Sequence, residues 1–228
     1  MSHRTRIKIC GLKRRADLDA AVAAGADAIG LVFYPKSPRH IAPPDAAALI
    51  ASLPPFVHAV GLLVNASMEE ARQIVDQAPV SSLQFHGDES LEQCVEIAAD
   101  LKRPFTRALS IGAATTHADL LECERQYRAA SPFFSGLVLD ALVEGYGGGG
   151  KVFDWSLVPK ELAPRAVLSG GLSARNVAEA IARLRPYAVD VSSGVEASRG
   201  VKDPARIRAF IAAVRQADAE LSEQREPA

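Results

Sequence analysis

Eight short apolar segments alternate with helical patterns along the chain, and this alternation restricts the possible folds more than any other feature. Several segments are nearly continuous apolar runs, which is typical of strands buried on both faces of a parallel sheet. Between them, spacings such as that of Ala71, Ile74, Val75 and Ala78 place apolar side chains on one helix face. The predicted strands are residues 6–10, 27–33, 57–64, 82–85, 104–110, 135–140, 165–170 and 188–193.

Eight strand–helix repeats in 228 residues predict a single-domain (β/α)8 barrel, the TIM-barrel class of α/β folds, for which about 250 residues are typical. A doubly wound open sheet is the alternative. It usually has fewer strands and a glycine-rich turn after the first, which "CGLKRR" does not match. We expect the barrel to occupy residues 1–217 and the polar residues 218–228 to form a frayed tail.

Polar residues that hydrogen-bond free backbone amides mark three predicted helix starts. Ser67 with Glu70 and Ser90 with Gln93 have the spacing of a capping box. Ser173, which follows two glycines, is the predicted N-cap of a later helix.

The overall charge and the cysteine content bound the partners and the compartment. The net charge of −1 favours neither nucleic acid nor an anionic membrane as a partner. Three cysteines without metal-type spacing favour a reducing compartment over a disulfide framework. The N-terminus lacks the apolar stretch of a signal peptide, and no apolar run approaches the ~18 residues of a membrane span. These features predict a cytoplasmic protein.

Polar residues at the C-terminal strand ends are the candidate site residues, because that end of a (β/α)8 barrel carries the active site. The loops after strands seven and eight form the recurrent phosphate site of such barrels. Here they read "SGGL" and "VSSGVE", and their glycines would let backbone amides approach an anion. Tight turns that require positive φ are the alternative reading. The candidates are Cys10, Arg39, His86, Asp140, Gly170, Gly171, Ser193 and Gly194.

Residue type alone leaves the roles of these side chains open. Cys10 is either a buried filler or a thiolate whose pKa a nearby cation lowers. Asp140 follows the apolar run "GLVL", which suits a general acid with a raised pKa, but it could also cap a loop. Arg39 could bind a carboxylate or be a solvated loop charge. His86 could be a ligand-binding or a structural histidine. Asp190 lies one step earlier in its strand, so its side chain is expected to point outward.

Six ordered motifs, from about Lys8 to Val214, resemble those of the phosphoribosylanthranilate isomerase family of tryptophan biosynthesis. They are "KICGL", "LVFYPKSPRHI", "LQFHGDE", "LVLDA" followed by "GYGGGGKVFDW", "LSGGL" and "DVSSGVE". The resemblance implies a (β/α)8 barrel without metal or organic cofactor. It also implies an Amadori rearrangement of N-(5-phosphoribosyl)anthranilate. Oligomeric state is left open between monomer and homodimer.

The resemblance also implies residue roles. Cys10 would be the general base, Asp140 the general acid and Arg39 the anthranilate-binding residue, with phosphate on the last two loops. One departure is Gly149, where the family usually has threonine.

Three other functions remain as alternatives. Indole-glycerol-phosphate synthase would require lysine and glutamate at the strand ends, and a sugar-isomerising relative from histidine biosynthesis would require aspartate in place of Cys10. The third is a non-catalytic phosphosugar-binding barrel, which the presence of both Cys10 and Asp140 argues against.

Overall fold

Eight parallel strands close into a barrel in which each strand pairs with its neighbours in the sequence and β1 pairs with β8. The computed structural model describes residues 4–141 and 152–223. The glycine run 147–150, with Gly149, lies outside the described residues. The strands are β1 Arg6–Cys10, β2 Ala28–Val32, β3 His58–Leu63, β4 Ser82–Phe85, β5 Phe105–Ile111, β6 Phe134–Ala141, β7 Val167–Leu168 and β8 Ala188–Val191.

Seven α-helices of the described residues surround this barrel. A main hydrophobic core, formed by the outward-facing strand residues and the inner helix faces, fills the space between the two layers. The predicted single-domain (β/α)8 barrel is therefore confirmed. The helices are α1 Arg15–Ala24, α2 Pro43–Ile50, α3 Met68–Gln77, α4 Leu91–Leu101, α5 His117–Ala130, α6 Val177–Leu184 and α7 Pro204–Glu223. A two-stranded hairpin, β9 Glu196–Ser198 and β10 Val201–Lys202, follows β8.

The two predicted capping boxes are present, whereas the predicted N-cap at Ser173 is wrong. Ser67 and Ser90 each accept from an amide of the first turn, and both reciprocal bonds are made. Helix α6 instead begins after Asn176. The Ser173 hydroxyl accepts from the amide of Arg175, so it caps a separate turn just before the helix.

The C-terminal helix extends further than the sequence predicted. Helix α7 continues through Glu223, past the expected start of a frayed tail at residue 218. Asp218 is buried and accepts hydrogen bonds from the backbone amide and the hydroxyl of Thr5, at 2.9 and 2.7 Å. Leu221 packs into the main core. These contacts fix residues 218–223 against the start of β1. Across the described residues, no helix is both long and apolar enough to span a membrane.

Candidate active site

The thiol of Cys10 lies at the C-terminal end of β1 and is 5% exposed. It packs with Val32, Leu62 and Val64 in an apolar cluster separate from the main core. Burial raises the pKa of the thiol. In this position Cys10 is a neutral group that must be helped to ionise if it is to act as a base.

The register of the barrel places two further groups close to Cys10. Gly30 is its partner on β2, and a Cβ atom built on Gly30 would lie 2.8 Å from the Cys10 sulfur. On the other side, the Ser192 hydroxyl donates to the Cys10 carbonyl at 3.1 Å. Cys10 is therefore confined between β2 and the end of β8.

Asp140 lies near the end of β6 and is 5% exposed. Its Oδ1 accepts from the amide of Ala141 at 2.9 Å, and its Oδ2 lies 3.2 Å from Nε2 of His86. The other ring nitrogen of His86 lies 3.0 Å from Nε2 of Gln84. With the Gln84 amide nitrogen as the donor, the proton of a neutral His86 lies on Nε2, where it faces Asp140.

The structure thus connects two of the predicted residues, His86 and Asp140, through a chain that begins at Gln84. The sequence analysis missed Gln84. Its position two residues before His86 on β4 places both side chains on the same face of the strand, and this periodicity could have identified it.

Arg39 is buried and makes a two-pronged ion pair with Glu196, with Nε–Oε1 and Nη2–Oε2 distances of 2.7 and 3.0 Å. Lys202 on β10 donates to the same carboxylate at 2.9 Å. Burial alone would raise the pKa of Glu196, but hydrogen bonds and charge from Arg39 and Lys202 outweigh it and lower the pKa. Arg39 is thus held in one orientation. Its alternative interpretation as a solvated loop charge is wrong, because the side chain is buried and paired.

Asp190 points into the barrel, so the expected outward orientation is wrong. Its Oδ2 accepts from Nζ of Lys8 at 2.9 Å, and both side chains are buried. The reason is register: Asp190 is the direct partner of Lys8 in the β1–β8 pairing, and both lie on the inner face. The sequence analysis missed Lys8 as well, although it shares its strand face with Cys10.

The glycines after β7 make close backbone contacts. Gly170 has φ of +79°, and a Cβ atom there would lie 2.4 Å from the Ala141 amide nitrogen and 2.8 Å from Oδ1 of Asp140. Gly171 also has positive φ, of +63°. Tight turns with positive φ are therefore present at both positions.

The loops after β7 and β8 meet directly. A Cβ atom on Gly194 would lie 1.9 Å from the carbonyl oxygen of Leu172. Between the two loops is a pocket of about 500 Å³. Its lining includes Gly171, Ser173, Arg175, Ser193, Gly194 and Arg206. The pocket combines glycine backbone with two guanidinium groups, a composition that suits an anion.

Cys94 and Cys123 lie within α4 and α5, on the outer layer of the fold. Residues 4–141 and 152–223 contain no group of three His, Cys, Asp or Glu side chains arranged to hold a metal ion. Cys94 and Cys123 are thus separate from the candidate site residues at the C-terminal strand ends.

The chain is similar to known proteins of one family. A family model for N-(5'phosphoribosyl)anthranilate (PRA) isomerase matches residues 7–213. The N-(5'-phosphoribosyl)anthranilate isomerase of Herminiimonas arsenicoxydans is 63% identical over 221 residues, which cover 97% of both chains.

Solved structures give the same result. A phosphoribosyl anthranilate isomerase in complex with reduced 1-(o-carboxyphenylamino)-1-deoxyribulose 5-phosphate is 38% identical, with a TM-score of 0.77, and the match covers 93% of this chain and 99% of that one. A structure of monomers generated from the dimeric Thermotoga maritima enzyme is 37% identical, with the same TM-score and coverage. The chain therefore belongs to the phosphoribosylanthranilate isomerase family.

Proposed function

We propose that this protein is a phosphoribosylanthranilate isomerase of tryptophan biosynthesis. The reaction is the Amadori rearrangement of N-(5-phosphoribosyl)anthranilate to 1-(2-carboxyphenylamino)-1-deoxyribulose 5-phosphate, an aldose–ketose isomerisation. The observation that carries the proposal is the placement of Cys10 and Asp140 at the ends of β1 and β6, in a chain that matches the family model over residues 7–213.

Asp140 is the proposed general acid. A proton passes from its carboxyl group to the furanose ring oxygen, the C1′–O bond breaks, and the anthranilate nitrogen supplies the electron pair that forms an iminium. Asp140 is left as a carboxylate, and the nearby Nε2 of His86 would stabilise that anion. His86 is therefore proposed to bind at the reacting end of the substrate and to orient Asp140.

Cys10 is the proposed general base. Its thiolate takes the C2′ proton, an S–H bond forms, and the C–H electron pair moves into the iminium to give an enolamine. The enolamine then becomes the ketone as C1′ gains a proton and the 2′-hydroxyl loses one. The substrate nitrogen supplies an electron pair when the ring opens and takes it back as the enolamine forms, so the rearrangement needs no oxidant or reductant. Proton transfer by a positioned group typically contributes ~10²–10⁴-fold.

The substrate phosphate is proposed to bind at the loops after β7 and β8, where Gly170, Gly171, Ser193 and Gly194 lie. The charges of Arg175 and Arg206, which line the adjoining pocket, would favour the dianion. This remote binding would fix the position of the reacting carbons.

Arg39 is proposed to bind the anthranilate carboxylate. Two of its nitrogens, Nε and Nη2, are bonded to Glu196. The substrate would therefore be met through Nη1, and Glu196 would set the direction in which that nitrogen points.

We also propose that the protein is cytoplasmic and forms a homodimer. A reducing compartment would keep the Cys10 thiol free, as the proposed base requires. The dimeric relative from Thermotoga maritima supports the second point. So does Phe56, which is fully exposed between α2 and β3, at the barrel end opposite the strand ends described above. Light scattering tests the assembly. Wild type should have the mass of a dimer and Phe56→Asp that of a monomer. A monomeric wild type would rule out the dimer.

A turnover assay tests the function. Phosphoribosylanthranilate is supplied and the loss of its fluorescence is followed for wild type, Cys10→Ala and Asp140→Asn. We expect each variant to lose at least ~10²-fold in kcat while its circular dichroism is unchanged. Absence of turnover in the folded wild type, with inorganic phosphate still bound, would favour a non-catalytic phosphosugar-binding barrel. Near-normal kcat in Cys10→Ala would show that the base is another group.

Arg39→Ala separates the two binding ends of the substrate. Charge-assisted hydrogen bonds contribute about 1.5–3 kcal/mol, so KM should rise by roughly tenfold or more. Inorganic phosphate should inhibit this variant as well as it inhibits wild type. If substrate binding and inhibition by inorganic phosphate were weakened equally, Arg39 would be placed at the phosphate.

A further inference from the structure

A buried ion pair lies inside the barrel next to Cys10. Nζ of Lys8 is 2.9 Å from Oδ2 of Asp190, and the two side chains are 9% and 6% exposed. Lys8 and Cys10 are two residues apart on β1, so both side chains point inward. The ammonium of Lys8 is therefore one step below the thiol on the same face of the strand.

Such a pair is not explained by stability alone. The desolvation of two charges in a protein interior roughly cancels their attraction, and apolar side chains of similar volume often serve equally well. Moreover, Oδ1 of Asp190 is buried with no hydrogen-bond partner among the described residues, which adds a cost. An arrangement that gains little for the fold is a candidate for a role in the chemistry.

Burial has the largest effect on the pKa of Cys10 and raises it above its ordinary value. Charged groups from three elements also act on the thiol. Lys8 on β1 and Lys202 on β10 favour the thiolate and so lower the pKa, whereas Asp190 on β8 disfavours the thiolate. The two lysines therefore recover part of the free energy that burial costs the anion.

Lys8 is a permanent cation. Burial would lower its pKa, but the charges of Asp190 and Cys10 and their hydrogen bonds more than offset this, so that the pKa is raised. Lys8 therefore cannot take the Cys10 proton for itself at neutral pH. Its contribution to Cys10 is electrostatic.

Lys202 is less suited to this task. Its ammonium donates to the Ser192 carbonyl at 2.9 Å, to the Ser192 hydroxyl at 3.0 Å and to Glu196 at 2.9 Å. These bonds use its three N–H groups and direct them toward Ser192 and Glu196.

We propose that Lys8, held in place by Asp190, is the positioning residue that stabilises the Cys10 thiolate. The inference rests on the proposed function, because it gives Lys8 a role only if Cys10 is the base. Lys8 neither gains nor loses a proton in the cycle. It lowers the free energy of the anion that must form before the C2′ proton is removed, and the C–H and S–H bonds change as described above.

Opposite charge changes at the two partners give the sharpest test. The rate of Cys10 alkylation by iodoacetamide is measured against pH, with the Cys10 peptide quantified by mass spectrometry. Lys8→Met should move the midpoint upward by about one unit or more, whereas Asp190→Asn should move it downward. The acid limb of kcat/KM should shift in the same directions. Lys160→Met is the control, because it removes a lysine charge at an exposed position. It should shift neither the alkylation midpoint nor the acid limb of kcat/KM.

A second variant covers the case in which Lys8→Met fails to fold because Asp190 is left unpaired. Lys8→Met/Asp190→Asn removes both charges together, and its midpoint should also rise, because the effect of Lys8 on Cys10 exceeds that of Asp190. An unchanged or lower midpoint in this folded double variant would overturn the inference while Cys10→Ala remained inactive. Retained turnover in Cys10→Ala would instead overturn the role of Cys10 itself, whatever the alkylation result.

Discussion

Gly30 stands directly beside Cys10 in the barrel wall, and its missing side chain is the space that the thiol occupies. A Cβ atom on Gly30 would approach the Cys10 sulfur to 2.8 Å and the Cys10 Cβ atom to 3.2 Å. Contacts of that length require the thiol to move. The position of the proposed base therefore depends on a residue that has no functional group of its own.

Gly30→Ala is expected to lower kcat by roughly 10²-fold, because displacing a reacting group by about 1 Å can cost that much. Steady-state kinetics at saturating substrate measure it. The matched control is Gly61→Ala on β3, where a new Cβ atom would meet Val80 and Phe33 at 3.1 and 3.2 Å, away from the thiol. The control should lose stability and keep its kcat. Equal kcat losses in both variants would mean that general crowding is responsible.

Gly170→Ala is expected to damage both catalysis and stability. The residue has φ of +79°, and a Cβ atom would press on Asp140 and on the Ala141 amide. Gly25 has φ of +95° at the end of α1, with nothing within 4 Å of a built Cβ atom. Gly25→Ala therefore introduces backbone strain without a steric clash. It should lower the free energy of unfolding by about 1–2 kcal/mol and leave kcat and KM unchanged. Urea unfolding and kinetics on the two variants separate strain from displacement of Asp140.

Gln84→Leu is expected to lower activity without lowering stability. The substitution frees the His86 ring that faces Asp140, and we expect roughly a tenfold loss in kcat. It also removes Oε1 of Gln84, which is buried without a hydrogen-bond partner among the described residues. An unsatisfied buried oxygen costs about 1–3 kcal/mol, and the substitution removes that cost. Ser82→Ala, two residues earlier on β4 and hydrogen-bonded to His58, is the control and should keep its activity. A strong loss of stability in Gln84→Leu would contradict the prediction.

Glu196→Gln should weaken substrate binding and change the acid stability of the fold. Because the pKa of Glu196 is lowered in the folded protein, its stabilising effect is present above the unfolded value of about 4.3 and is lost as pH falls through the folded pKa. The variant should therefore be less stable at pH 7, by about 3 kcal/mol or more, and should lose less stability than wild type as pH falls below about 4.3.

Urea unfolding between pH 3 and 7 measures this effect, and KM at pH 7 reports the loosened Arg39. The exposed Glu161→Gln is the control, and its profile should follow that of wild type. Parallel stability curves for wild type and Glu196→Gln would show that the ion pair does not control the acid transition.

The elements were predictable from sequence because they depend on local patterns. Strand β1 has the bounds that its apolar pattern predicts, and the rule that active sites lie at C-terminal strand ends places Cys10 and Asp140 among the candidate site residues. The pairings were not predictable. Arg39 and Glu196 are 157 residues apart, and a motif that contains one gives no information about the distance to the other. Asp190 was misplaced because its direction depends on register with β1 rather than on its own strand.

The joining of the two ends of the chain has a consequence for biosynthesis. Lys8 and Asp190 are 182 residues apart, and Thr5 and Asp218 are 213 apart, yet both pairs are needed to seal β1 against β8 and α7. While a ribosome makes the intervening segment, at about 5–20 residues per second, β1 keeps one open edge for roughly ten seconds or more. An unpaired strand edge is a template for association with other chains. Among the described strands, β1 is therefore made first and paired on both edges last, and its open edge is available to other chains until β8 and α7 have formed.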